Sequence, residues 1–118
     1  MKEYRLHRGK ARDMLRRLRA KGYRPRLIWM TPEEYLSRTM GVANVVAPPN
    51  PASLGRSRLL DVAKYDRVKR AFAEGKPLPP LYLNTKVMLD AFTPKHDGRH
   101  RAYIAFQSGV RKVPVVVV

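Results

Sequence analysis

Cysteine is absent from the 118-residue chain, which excludes a disulfide framework, a thiolate metal site and any reaction that runs through a cysteine nucleophile. Acidic residues are scarce. Nine Asp and Glu stand against 25 Lys and Arg, a formal net charge of +16 with a pI near 11.0. That balance points to a polyanionic partner, with nucleic acid ahead of ribosomal RNA or an anionic membrane surface, and a merely supercharged surface as the bland alternative. No apolar run approaches the roughly 20 residues of a membrane-spanning helix. The charged N-terminus has no signal-peptide core, so no membrane partner and a cytoplasmic or nucleoid-associated location are expected. There is no P-loop, no Cys-x-x-Cys and no Ser-His-Asp arrangement. What remains is long enough for one domain with a real core.

The positive charge is concentrated at the start. Between Met1 and Arg26 stand Lys2, Arg5, Arg8, Lys10, Arg12, Arg16, Arg17, Arg19, Lys21, Arg24 and Arg26, opposed only by Glu3 and Asp13. Ala11, Met14, Leu15 and Leu18 follow helical spacing and Gly22 is placed as the stop, so the segment reads as an amphipathic helix. Its apolar stripe is expected to pack on the domain while Arg12, Arg16 and Arg19 share the outer face. Like charges at that spacing destabilise an isolated helix, and a phosphate partner relieves them. Arg8, Arg12, Arg16 and Arg19, with Arg56 and Arg58 further on, are the candidate nucleic-acid contacts. A solvated basic face is the alternative. Membrane binding fits less well, because the stripe is short and lacks Trp or Phe.

Further along, Arg26 to Met30 (RLIWM) has strand composition, and its apolar residues on both sides suit an inner strand. Thr31-Pro32-Glu33-Glu34 predicts a helix start with Thr31 as N-cap, Pro32 at N1 and Glu34 closing a capping box, and the helix should end near Gly41. Capping and the macrodipole explain Glu33 and Glu34 without catalytic roles. Val42 to Ser57, rich in proline, predicts an irregular crossing segment. A helix is expected from about Leu59 to Glu74, ended by Gly75. Leu81 to Asn84 and Val87 to Phe92 are expected as paired strands that form a small mixed sheet with Val113 to Val118 and the RLIWM segment.

Residues Asp97 to Val118, DGRHRAYIAFQSGVRKVPVVVV, carry the densest local signal. They predict a tight turn, a helix opening on Gly98 with Arg99, His100 and Arg101 in its first turn, a stop at Gly109 and a valine-rich strand. Unpaired N–H groups and the positive end of the macrodipole, joined by arginine and histidine donors, make such a start suited to phosphate. A Gly-capped surface turn with solvated charges is the bland reading. His96, Asp97 and His100, with Asp90 before them, are also residue types that hold a divalent metal and activate water. The helix start lies between His96 and His100, so helical metal-ligand geometry is not assured, and Asp97 can instead cap the turn or pair with Arg99 or Arg101. No metal ligand is assigned. Asp97 and His100 are the candidate catalytic pair, His100 as general acid to a phosphate on Arg101.

These residues resemble the ParB/sulfiredoxin superfamily, the ParB-like nuclease domain. The resemblance rests on Gly98-x-x-Arg101, then Ala105, Gly109 and Val113-Pro114-Val115, and it runs backwards over Gly75-Lys76-Pro77-Leu78-Pro79-Pro80 and the helix from Tyr65 to Glu74, covering roughly the C-terminal half. It implies an α+β fold and a phosphate or nucleotide held by Gly98 and Arg101. In sulfiredoxins a catalytic cysteine follows that glycine. Arg99 stands there here, so sulfinic-acid reduction by that route is excluded. Other members resemble free-serine kinases, but their catalytic glutamate has no match in this chain.

The expectation is therefore a single domain over 1–118. Residues 1–56 would form a basic extension with the proline-rich loop, and 57–118 a ParB-like core of mixed sheet covered by helices. The expected function is nucleic-acid binding, DNA before RNA, with room for nuclease activity and a homodimer. The alternative is a nucleotide-dependent small-molecule enzyme or switch that uses the same turn. The cofactors to test are a nucleoside triphosphate and Mg2+ or Mn2+.

Overall fold

The computed structural model describes residues 3–39, 62–91 and 93–118. Their order is α1 (Arg8–Ala20), β1 (Arg26–Met30), α2 (Pro32–Thr39), α3 (Val62–Ala73), β2 (Leu81–Met88), β3 (Pro94–Asp97), α4 (Arg99–Gln107) and β4 (Val113–Val117). The strands form one sheet in the order β1-β4-β2-β3. β1 runs antiparallel to β4, β4 parallel to β2, and β2 antiparallel to β3. The architecture is a small α+β domain on a mixed sheet.

Local chemistry sets most of the helix ends. α1 begins where the His7 imidazole accepts the Lys10 N–H at 3.1 Å, in the place of a hydroxyl cap. It ends at Gly22, which takes φ of 89° while Tyr23 N–H returns to the Leu18 carbonyl at 3.1 Å. Ala11 and Leu18 are buried, Met14 and Leu15 half-buried, and the expected stripe faces the domain. α2 begins with Thr31 Oγ1 accepting the Glu34 N–H at 3.1 Å. The Glu34 carboxylate does not complete the expected capping box. It accepts from Arg38 Nη2 at 2.7 Å, one turn along the helix.

β4 lies between two strands, and Val113, Pro114, Val115 and Val116 are all buried. It pairs with β1 from Val113 to Val117 but with β2 only from Val115, so Pro114, which has no N–H, sits before the second ladder begins. The expected inner position of RLIWM is corrected. Among the described residues β1 is an edge strand, with Arg26 and Trp29 exposed and Met30 alone fully buried. A second correction concerns Val87 to Phe92. β2 continues to Met88, the chain then turns with Asp90 Oδ1 accepting the Thr93 N–H at 2.8 Å, and β3 is Pro94–Asp97. Asp90 closes a local side-chain turn that competes with extended pairing.

The core draws on both halves of the chain. Tyr4, Met30, Tyr35 and Leu36 from the first half pack with Leu81, Leu83, Ala102, Tyr103, Ala105, Val110, Val113 and Val115. The N-terminal residues also pair with the proline linker. His7 N–H donates to the Leu78 carbonyl and Leu78 N–H to the Arg5 carbonyl, each at 2.8 Å. α4 packs on α2 and α3, and Arg101, Ala102, Tyr103, Ile104 and Ala105 are successively buried, so no face of this helix is wet throughout. The proline-rich segment Val42 to Ser57, with Arg56, and the following Arg58 lie outside the described residues.

Candidate nucleic-acid interface and the Gly98 turn

Arg8, Arg12, Arg16 and Arg19 are all exposed on α1. Steps of four, four and three residues keep them near one face, and a rise of 1.5 Å per residue extends the row over about 16 Å. Asp13 meets Arg16 at 2.8 Å, an exposed i,i+3 pair that is worth little in water and leaves the row strongly positive.

The Gly98 turn follows edge strand β3. Gly98 is buried with φ of 129°, a conformation that L side chains rarely adopt. A Cβ added there would lie 2.6 Å from Leu81 Cγ and 3.0 Å from Leu81 Cβ, so the missing side chain is what lets the turn close on the core.

The three basic residues after Gly98 have different fates. Arg101 is 8% exposed and points into the domain. Its Nη1 donates to the carbonyls of Pro79 at 2.6 Å and Pro80 at 3.1 Å, and to the Tyr4 hydroxyl at 3.4 Å. Tyr4 itself donates to the Pro79 carbonyl. Asp97 Oδ2 lies 3.7 Å from Arg101 Nη2, which supplies a counter-charge one helical turn away. The reading that placed a phosphate on Arg101 thus meets a guanidinium engaged with the linker. Arg99 is half-buried, and its Nε has no hydrogen-bond partner among the described residues. Burial lowers its pKa from the ordinary value, opposed by Tyr35 and Asp90. His100 is half-buried in the first turn of α4.

Tyr35 holds the turn from the other side. Its single O–H is shared between the carbonyls of Tyr82 at 2.8 Å and Asp97 at 3.0 Å, two residues paired across β2 and β3. Burial pushes its pKa well above the ordinary value against the opposing charge of Arg101, so the hydroxyl stays a donor. His96 Nδ1 bonds the Pro94 carbonyl at 2.8 Å, and burial lowers its pKa, which favours the neutral ring.

Among the described residues no group of three or more His, Cys, Asp or Glu side chains is arranged to hold a metal ion. The described residues therefore assemble no all-protein site for Mg2+ or Mn2+, and no metal-assisted step is derived from them. For an anion, Arg99 Nε is the one buried polar side-chain atom without a partner among the described residues.

Tyr4 and Tyr35, which organise the turn, were missed by sequence reasoning. A signal existed for Tyr4 and Arg101. The linker Lys76-Pro77-Leu78-Pro79-Pro80 offers carbonyls that need donors, while its prolines have none to exchange. Among the described residues no helix is long and apolar enough to cross a membrane. Compared with known proteins, the chain matches no protein-family model, no curated protein and no solved structure.

Proposed function

We propose that this chain is a nucleic-acid-binding protein of ParB/sulfiredoxin type, with DNA as the expected partner and the outer face of α1 as its main phosphate contact. The observation that carries the reading is the exposed row Arg8, Arg12, Arg16 and Arg19 on a chain of net charge +16. A solvated face needs charge but not four arginines aligned over several turns. The superfamily assignment is supported by the mixed sheet and by the Gly98-x-x-Arg101 helix start that follows an edge strand. The test is the salt dependence of DNA affinity. Changing Arg12, Arg16 and Arg19 together to Ala should weaken binding to all sequences and reduce the slope of log K against log salt by about 2–3. An unchanged slope overturns the assignment. The same DNA, run on a gel with and without magnesium or manganese, separates binding from cleavage.

The unpartnered Arg99 Nε favours a second reading, an anion or nucleotide phosphate held at the α4 N-terminus by Arg99 and the first-turn N–H groups. Titration with inorganic phosphate and with ATP tests it. Arg99→Met should abolish binding and, by removing an unsatisfied buried group, raise the melting temperature of the ligand-free protein. Absence of phosphate or ATP binding by the native protein removes this reading.

A further inference from the structure

We propose that Trp29 is a stacking platform for an unpaired base, so that the nucleic acid this protein binds most tightly is single-stranded. The inference rests on the nucleic-acid-binding reading and specifies its substrate. Trp29 is 46% exposed on edge strand β1, the only tryptophan of the chain. An exposed aromatic residue alone would mean little. Trp29, however, lines an open groove of about 950 Å3 together with Arg5, His7 and Arg8. Among the described residues that line it, Glu3 is the sole acidic one.

The groove's parts are held in place. Arg5 Nη1 donates to the Gly75 carbonyl at 3.1 Å, which positions its guanidinium at the lip and uses one of its five N–H donors. The His7 ring is fixed by its bond to Lys10 N–H and folds over Gly9, where an added Cβ would come within 3.3 Å of His7 Cε1. Trp29 stands on a strand whose partner residue is the buried Pro114, so its backbone is already ordered. An aromatic ring beside arginine side chains is the arrangement that takes a base on its π-surface and the adjoining phosphates on arginine.

Two features choose the occupant. Arg8 belongs both to the groove and to the α1 arginine row, so phosphate contacts continue out of the groove for about 16 Å, farther than a mononucleotide reaches. In a duplex both faces of each base are stacked, and a base reaches an external aromatic ring only after unstacking. A strand already single offers its bases without that cost.

The single tryptophan makes the test direct. Oligothymidylate, oligouridylate, a DNA duplex and free thymidine monophosphate are each titrated into the native protein, with Trp29 fluorescence and the anisotropy of labelled strands read in parallel. Saturable quenching by the single strands is expected, with little by duplex or mononucleotide. Trp29→Ala should weaken single-strand binding roughly tenfold or more, with a smaller loss on duplex, while Trp29→Phe keeps most of the affinity. The two homopolymers show whether DNA or RNA is preferred. Single-strand binding without quenching, or with native affinity in Trp29→Ala, overturns the stacking role while leaving the α1 contacts standing. Quenching by the mononucleotide as strong as by the strands overturns the assignment to a strand. No binding of any strand or duplex overturns both readings.

Discussion

Arg101 Nη1 lies 2.6 Å from the Pro79 carbonyl oxygen and ties the start of α4 to a linker more than twenty residues earlier. Pro79 and Pro80 have no N–H to exchange with a neighbouring strand, and their carbonyls lie in a partly buried region. One guanidinium satisfies both, with Tyr4 as second donor to Pro79. The arginine of the Gly-x-x-Arg motif thus has a structural task at this turn, independent of any ligand.

We expect Arg101→Ala to destabilise the fold by about 1–3 kcal/mol, chiefly through the Pro80 carbonyl, since Tyr4 still donates to Pro79, as measured by urea denaturation. Arg101→Lys should recover only part of this, because one ammonium does not reproduce the planar fork. A fully stable Arg101→Ala protein would show that the linker carbonyls find other donors. Binding data on Arg101 variants need this stability measured first.

Gly98→Ala should cost about 2–5 kcal/mol through backbone strain at positive φ and overlap with Leu81. The overlap is relieved by shortening the partner. The double variant Gly98→Ala with Leu81→Ala should therefore lose less than the two single losses added together. Strict additivity in denaturant melts would contradict the contact.

Stability should fall on acidification partly through His96. Burial holds the folded ring below its ordinary pKa of 6.5, with the Pro94 bond opposing in part. The unfolded chain then binds the proton more readily, and folding stability is lost as pH drops from about 6.5 toward the folded value. The melting temperature should decline through that window, and His96→Gln should flatten the decline. An identical pH profile for the variant would assign the acid sensitivity elsewhere.

Helix ends were readable because their causes are local. The Thr31-Pro32 start, the Gly22 stop, and the Gly98 opening with its Gly109 stop each depend on a few adjacent residues, and the α1 stripe needs only helical periodicity. The valine-rich strand was equally legible, since a continuous apolar run suits burial on both faces. RLIWM shows the limit of the same argument. Apolar residues on both sides do not say which neighbours a strand will have, and β1 came to lie at the edge with Trp29 in solvent.

The arginine row of α1 was legible for the same reason as the stripe, because opposite faces of one helix follow from one period. The Gly98 turn was legible as backbone and not as side chains. Nothing adjacent to Arg101 tells whether it reaches outward for phosphate or inward for Pro79, since that depends on where a distant linker runs. The pairing of Leu6 with Leu78, the two carbonyls held by Tyr35 and the groove that sets Trp29 beside Arg5 and Arg8 are long-range contacts of the same kind. The sequence by itself determined the helices, the Thr31 cap and the glycine stops, the buried strand β4 and the excess of positive charge, all products of short-range periodicity and composition. Tertiary structure alone decided the strand order and the directions of Arg101 and Trp29, because those depend on which distant segments the collapsing core brings together.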